Sequence, residues 1–304
     1  MEFITGAIAA IGAGIITNPL DVVKVRFQLQ GELKRKGAHK IHYRNFFHAF
    51  YVIGKTEGIT ALQKGLGPAL VFQVLLNGTR LGVYEMAEKR KLNLKPDGRV
   101  SLLNTICIGS VAGVLGAFAG SPMYLVKIQL QSQAAASIAV GHQHQHQGTI
   151  EALANISRQY GVVGLWRGVS GACVRLAVGS CSQLSGFYLT KELLEKHQVL
   201  STEKSLLNTI VASSVGGTLT AFTMNPFDVI STRLYNQEVD KNGKGLLYKN
   251  YIDCVRKVFK IEGLSGLYKG VIPQFSRIGP HSVLCLVFWD ILKDEFKESR
   301  WTHI

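Results

Sequence analysis

The 304 residues are short of charge, and shorter still of acid. Only 18% are Asp, Glu, Lys or Arg, against about 25% in ordinary soluble domains. The 20 acidic residues face 34 basic ones, which leaves +14 on a chain that is 47% hydrophobic. That composition excludes a disordered chain, which needs low hydrophobicity. Proline is scarce at 7, which excludes Pro-rich and collagen-like classes. Cysteine is sparse too. Cys107, Cys173, Cys181, Cys254 and Cys285 are scattered, with no C-x-x-C spacing. The set argues against a disulfide framework or a zinc site and reads as small buried residues. The N-terminus has Glu2 and no Arg-rich, Ser-rich stretch or basic n-region, so the expectation is that any targeting signal is internal. An apolar, Gly-rich, basic chain points to a membrane protein that handles anions or sits among anionic lipids. A basic soluble nucleic-acid binder is the competing class.

Charge is missing in long stretches as well. Positions 3–20, 100–126 and 205–227 carry no formal charge. Each is long enough to cross a bilayer core, which takes about 20 mostly apolar residues. Three further apolar runs begin near Gly65, Gly168 and Gly270, each with an Arg in its middle: Arg80, Arg175 and Arg277. Six membrane helices are therefore expected, and a nucleic-acid partner is not. A cation at bilayer depth costs at least ~2.5–3.5 kcal/mol and persists where it faces water or a partner. One such Arg can snorkel; three in alternate segments point to a polar interior.

What is there repeats about every hundred residues. Pro19, Pro122 and Pro226 are 103 and 104 apart; Gly65, Gly168 and Gly270 are 103 and 102 apart. The strings after the prolines are PLDVVKVRFQLQ, PMYLVKIQLQSQ and PFDVISTRLYNQ, and those before the glycines are EGITALQKG, YGVVGLWRG and EGLSGLYKG. Small residues four apart recur upstream (Gly6/Ala10, Gly109/Gly113, Ser213/Gly217) and let membrane helices approach closely. Three copies of helix, loop, helix around a pseudo-threefold axis can enclose a polar interior that one copy cannot. The expected repeats are 1–98, 99–200 and 201–304. The prolines should kink or end the straight part of each odd helix. The amphipathic stretch 43–58 reads as a short interfacial helix.

These strings resemble the signature of the mitochondrial carrier family (solute carrier family 25), P-x-[DE]-x-x-[KR] followed by [DE]-G-x4-[YWF]-[KR]-G, over essentially the whole chain. Within the family they look closest to the branch of members 34 and 35 and the fungal oxaloacetate carrier. The resemblance implies an all-α fold of six transmembrane helices with short matrix-side amphipathic helices. It also implies a mitochondrial inner-membrane location, termini toward the intermembrane space, and a transporter rather than an enzyme. No nucleophile–base set or phosphate loop is found that would suggest catalysis. Loop charge alone does not set the orientation.

The resemblance also implies roles. A matrix gate would pair Asp21 with Lys127 and Asp228 with Lys24, the third pair falling on uncharged Tyr124 and Ser231. The joint loss fits pairing, because one stranded charge is costly in a poor solvent. Asp21 and Lys24 alone also read as an ordinary i,i+3 surface pair. Bracing residues would be Gln28, Gln131 and Tyr235. A cytosolic gate would keep Glu85–Lys191, with Asp290 and Lys293 near Glu88 and Lys89; solvated helix-end charges are the plainer reading. Substrate contacts would be Phe72, Gln73, Arg175, Leu176 and Arg277, seven and eight residues after each closing Gly and so about 10 Å into each even helix. Arg80 lies two turns beyond Gln73 on nearly the same face. Two or three cations with no matching acid call for a dianion gripped bidentately. The expected substrate is a keto-dicarboxylate such as oxaloacetate, another dicarboxylate, or a sulfate-type anion, moved by alternating-access exchange. A proton-leak carrier, or an adaptor that has lost transport, is the alternative. Structural cardiolipin is the lipid implied, held near Gly65, Trp166, Arg167, Gly168, Tyr268, Lys269 and Gly270, where aromatic anchoring at the interface is the simpler account. No other cofactor is expected, and the chain is expected to act as a monomer. Last, GHQHQHQG at 141–148 reads as a solvated loop insertion, with a metal site at His142, His144 and His146 as the less favoured alternative.

Overall fold

The computed structural model describes residues 2–34, 41–94, 101–196, 205–240 and 243–301. Among them are nine α-helices: α1 (Glu2–Leu29), α2 (Phe46–Glu57), α3 (Leu66–Lys89), α4 (Leu102–Ser132), α5 (Thr149–Tyr160), α6 (Val169–Lys196), α7 (Ser205–Asn236), α8 (Tyr251–Leu267) and α9 (Val271–Trp301). Six are long and three are short, in the order long, short, long, three times over. Four long segments, Ile8–Leu29, Ile59–Lys89, Leu102–Ser132 and Val162–Leu194, are apolar enough to cross a membrane, with mean hydropathy between 1.2 and 1.8. Leu103, Val111, Leu115, Phe118, Val283 and Val287 stay exposed on the long helices, as side chains facing lipid should.

The long helices form a closed ring. Within the repeats α1 packs on α3, α4 on α6 and α7 on α9; between them α3 packs on α4, α6 on α7, and α9 returns to α1. Small residues permit the contacts: a Cβ at Gly120 of α4 would fall 2.7 Å from the Phe72 ring of α3.

The prolines do not end the odd helices. Pro19, Pro122 and Pro226 lie inside α1, α4 and α7, each of which runs ten residues further. A helical proline frees the carbonyl four residues back, and in a membrane that group needs a donor. Gln63 Nε2 donates to Ile15 O at 3.1 Å, and Trp166 Nε1 donates to Phe118 O at 2.8 Å. These are the carbonyls that Pro19 and Pro122 release.

The short helices share one end of the ring. In α2, Ala49 and Ile53 face inward while Phe47 and Tyr51 stay exposed. The chain turns sharply after α2 at Gly58, after α5 at Gly161 and within α8 at Gly263, and again at the repeat-closing Gly65, Gly168 and Gly270, all with positive φ. The closing glycines also report the threefold order. A Cβ on Gly65 would strike Gln131, on Gly168 would crowd Tyr235, and on Gly270 would crowd Gln28. Each repeat thus seats its turn on the odd helix of the next.

A cation-rich cavity above a gate of shared carboxylates

The odd helices converge at the end that carries α2, α5 and α8, and there the charged strings meet. Lys127 Nζ of α4 donates to Asp21 Oδ2 of α1 at 2.8 Å. Lys24 of α1 pairs with Asp228 of α7. All four side chains are at most 10% exposed, so water screens them little. Gln28 lies under the second pair, its Nε2 on Asp228 Oδ2 at 2.8 Å and its Oε1 accepting from Thr232 at 2.8 Å. Gln131 does not reach the first pair: its Nε2 donates to Asn18 Oδ1 at 3.1 Å. Tyr235 bonds Ser121 through its hydroxyl at 2.9 Å. Asn18 and Ser121 both immediately precede a repeat proline, so these two residues make equivalent contacts.

The position with no ion pair is filled by aromatics. Tyr124 is buried, with the Phe72 ring at 4.9 Å and the Tyr235 ring edge-on at 5.1 Å. The Arg175 guanidinium sits 4.8 Å from the Tyr124 ring centre, a cation–π contact of the kind that gains strength when desolvated. Ser231 is buried and its hydroxyl has no protein partner.

Above the gate lies a cavity of about 280 Å³. Phe72, Gln73, Arg80, Arg175, Leu176 and Arg277 all line it, together with Ser180, Gln183, Thr220, Gln274 and His281. Equal offsets along α3, α6 and α9 bring the sequence-derived contact positions to one enclosed space. The Arg80 stem runs beside Gly116.

One expectation changes. Two of the three cavity arginines do have acid partners. Arg175 Nη1 stands 3.6 Å from Asp228 Oδ1, and Arg277 Nε contacts Asp21 Oδ1. The contact level is close enough to the gate for long guanidinium side chains to reach it. Each gate carboxylate is therefore shared between a lysine of the gate and an arginine of the cavity. Two carboxylates serve four cations. The cluster keeps an excess of two positive charges, and Arg175 Nε and Nη2 remain buried without a protein acceptor.

At the other mouth, Glu85 does not engage Lys191. It bonds Lys89 one turn along its own helix at 2.7 Å, and the two side chains are 66% and 74% exposed. With that mouth in solvent, the i,i+4 neighbour is the nearest partner. Asp290 and Lys293 fall on α9, but their side chains lie outside the described set.

Several expected lipid contacts are turned inward. Lys269 Nζ donates to Glu262 and to the Gln30 carbonyl, and Trp166 caps a carbonyl of α4. The closing glycines pack on the next repeat, as described above. Tyr268 stays exposed at 41%. Arg167 lies 5.5 Å from the Tyr160 ring, with two guanidinium nitrogens buried and unpartnered.

The 141–148 segment is not a solvated insertion. His144 Nε2 meets Asn236 O at 3.0 Å, His146 Nε2 meets Gln129 Oε1 at 3.2 Å, and His142 Nδ1 stands 3.6 Å from Glu238. Gln133 Nε2 donates to the His144 and His146 carbonyls. The segment ties the ends of α4 and α7 because both helix ends carry orphan groups that it satisfies. Burial pulls the His144 pKa from 6.5 down to about 3.

Sequence reasoning passed over two triads, each a buried arginine and glutamate joined by a partly exposed lysine. Arg26 bonds Glu57 at 2.6 and 3.0 Å, and Lys64 joins the same carboxylate at 2.8 Å. Arg233, Glu262 and Lys269 repeat the arrangement. The second repeat has Gln129 and Tyr160 at the equivalent positions. The signal was present: arginine seven residues after proline recurs with the acid before glycine, and both are absent together.

The sequence relatives agree with this architecture. The family described as mitochondrial carrier protein matches residues 1–94, 98–198 and 202–300. Human solute carrier family 25 member 35 is 48% identical over 293 residues, 96% of this chain and 97% of that one. The mitochondrial oxaloacetate transport protein of Saccharomyces cerevisiae is 40% identical over 294 residues, 95% and 87% of the two chains. Mitochondrial citrate transporter E of Aspergillus niger is 39% identical over 286 residues, 93% and 89%. Three repeats, their helical ring and these matches make the chain a member of the mitochondrial carrier family, a transporter of the mitochondrial inner membrane.

Proposed function

We propose that this carrier exchanges a small dianion, a keto-dicarboxylate of the oxaloacetate type, another dicarboxylate, or sulfate. The observation that carries the reading is the two-charge excess around a cavity of about 280 Å³. The volume lies below the ~300–1,000 Å³ typical of sites for drug-sized ligands, which favours a small anion over a nucleotide. The printed names of the fungal relatives, an oxaloacetate and a citrate transporter, fit the same chemistry.

The mechanism follows from the sharing of carboxylates. An anion that takes Arg175 and Arg277 bidentately draws them from Asp228 and Asp21. The gate then keeps only its two lysine pairs, and its opening is easier. Substrate and gate thus compete for the same guanidiniums, which supplies the differential affinity that a conformational change requires. Alternating access around a central site completes the cycle. A single chain encloses the cavity, so the unit of transport is the monomer. A structural lipid of the cardiolipin type belongs near Arg167, where Lys244, Lys249 and the start of α6 line a second pocket.

The test is uptake by reconstituted protein across oxaloacetate, malate, sulfate, citrate, pyruvate and ATP. Entry of the small dianions, with pyruvate and ATP excluded, is the expected result. Preference for ATP or a monoanion would refute the reading.

A further inference from the structure

His281 lines the cavity and has no place in the account so far. It stands on α9 one turn beyond Arg277. Its neighbours fix its hydrogen. Thr17 of α1 donates its hydroxyl hydrogen to Ala13 O at 2.8 Å. The same oxygen lies 3.1 Å from His281 Nδ1. With its hydrogen committed to Ala13, the Thr17 oxygen can only accept, so Nδ1 is the ring donor. In the neutral imidazole Nε2 then carries the lone pair. Cys285 Sγ, at 3.7 Å, is near Nε2 but is a weak donor. The result is a base inside an anion cavity.

We infer that His281 takes up a proton at Nε2 together with the transported anion. The inference rests on the cavity being an anion site. The charged groups that act on His281 are Arg277 on its own helix, Asp21 from α1 and Lys127 from α4. From α7 the cavity receives Gly217, Thr220 and Met224, which carry no charge. In the empty site two cations and one carboxylate lie about the ring, a net positive charge. A dianion held by Arg277 and Arg175 reverses that sign. Proton and anion therefore each raise the affinity for the other, by the same factor. No bond is made or broken beyond the N–H bond at Nε2, and the proton comes from water on the loading side and leaves on the other.

The experiment uses full-length protein in proteoliposomes loaded with the same anion inside, with the membrane potential clamped by potassium and valinomycin and the pH set equal on both sides. Sulfate is the probe because its charge is constant between about pH 6 and 8, the range in which histidine titrates; oxaloacetate runs beside it. In the wild type, the uptake KM should fall about tenfold from pH 8 to pH 6, within the usual range of coupling between sites. His281→Gln should hold the high KM at both pH values, and His281→Lys should hold the low KM at both. A purely structural tie between α1 and α9 would lower uptake by His281→Gln equally at the two pH values and leave the ratio of KM values intact, which would overturn the inference. If neither variant inserts, the wild type decides: a sulfate KM equal at pH 6 and pH 8 also overturns it. If the wild type takes up neither anion, the transport reading fails, and this inference fails with it.

Discussion

Gln28 joins α1 to α7 through one side chain, and its removal should be felt at once. Gln28→Ala leaves the Thr232 hydroxyl without its present acceptor and Asp228 Oδ2 with Lys24 alone. The cost of such a buried, unsatisfied group is about 1–3 kcal/mol. A lower melting temperature in detergent is expected, together with faster turnover, because a weaker gate opens more readily; unchanged values for both would contradict the brace. Tyr124 offers a second residue-scale test. Its ring is the surface on which Arg175 rests. Tyr124→Leu should preserve packing but release the guanidinium, raising KM for the anion more than it lowers kcat, as measured by uptake kinetics. The two ion pairs were legible through the family resemblance, and the joint loss of charge at Tyr124 and Ser231 supported them. That Arg175 and Arg277 reach down to the gate was not legible. Helical offsets give the height of a Cα, while the reach of a guanidinium depends on which carboxylate lies within its length.

At the scale of elements, the short helices are held to the long ones by buried charge. Glu262 neutralises Arg233, which is fully buried. Glu262→Gln strands that cation and should cost about 3–5 kcal/mol, seen as a drop in melting temperature of roughly 10 °C. The same segments show where periodicity stops informing. The prolines marked the odd helices correctly, but not that α1, α4 and α7 continue past them. That continuation depends on donors from elsewhere, Gln63 and Trp166, which reach the freed carbonyls across the fold. The histidine segment is a similar case. Its composition reads as solvated, yet its ring nitrogens serve the ends of α4 and α7. Because His144 titrates near 3 when folded and near 6.5 when unfolded, it contributes stability fully above about pH 6.5. That contribution is lost as the pH falls from there toward 3, since the unfolded chain then binds the extra proton. The melting temperature should fall by several degrees between pH 7.5 and 5.5, and His144→Gln should reduce that dependence. An unaltered pH slope in the variant would show that the ring is not buried neutral.

The whole molecule explains what its net charge does. Much of the excess lies in loops and at helix ends, whereas the part that the proposed mechanism uses is a cluster of four cations around two carboxylates at the floor of a ring of six helices. The ring and its repeat were readable because three copies of one pattern leave few ways to fold. The shared lining of the cavity was readable because equal offsets on equivalent helices meet in one space. What makes the assembly a transporter in this account is the competition between substrate and gate for Arg175 and Arg277. The most direct measurement is oxaloacetate exchange by proteoliposomes containing wild-type protein, Arg175→Ala or Arg277→Ala, with membrane potential recorded in the absence of substrate. The account predicts at least a ~100-fold loss of exchange in either variant, equivalent to about 2.7 kcal/mol, with correct insertion and no substrate-free leak. Exchange at the wild-type rate in either variant, or a leak that persists after both arginines are removed, would contradict it.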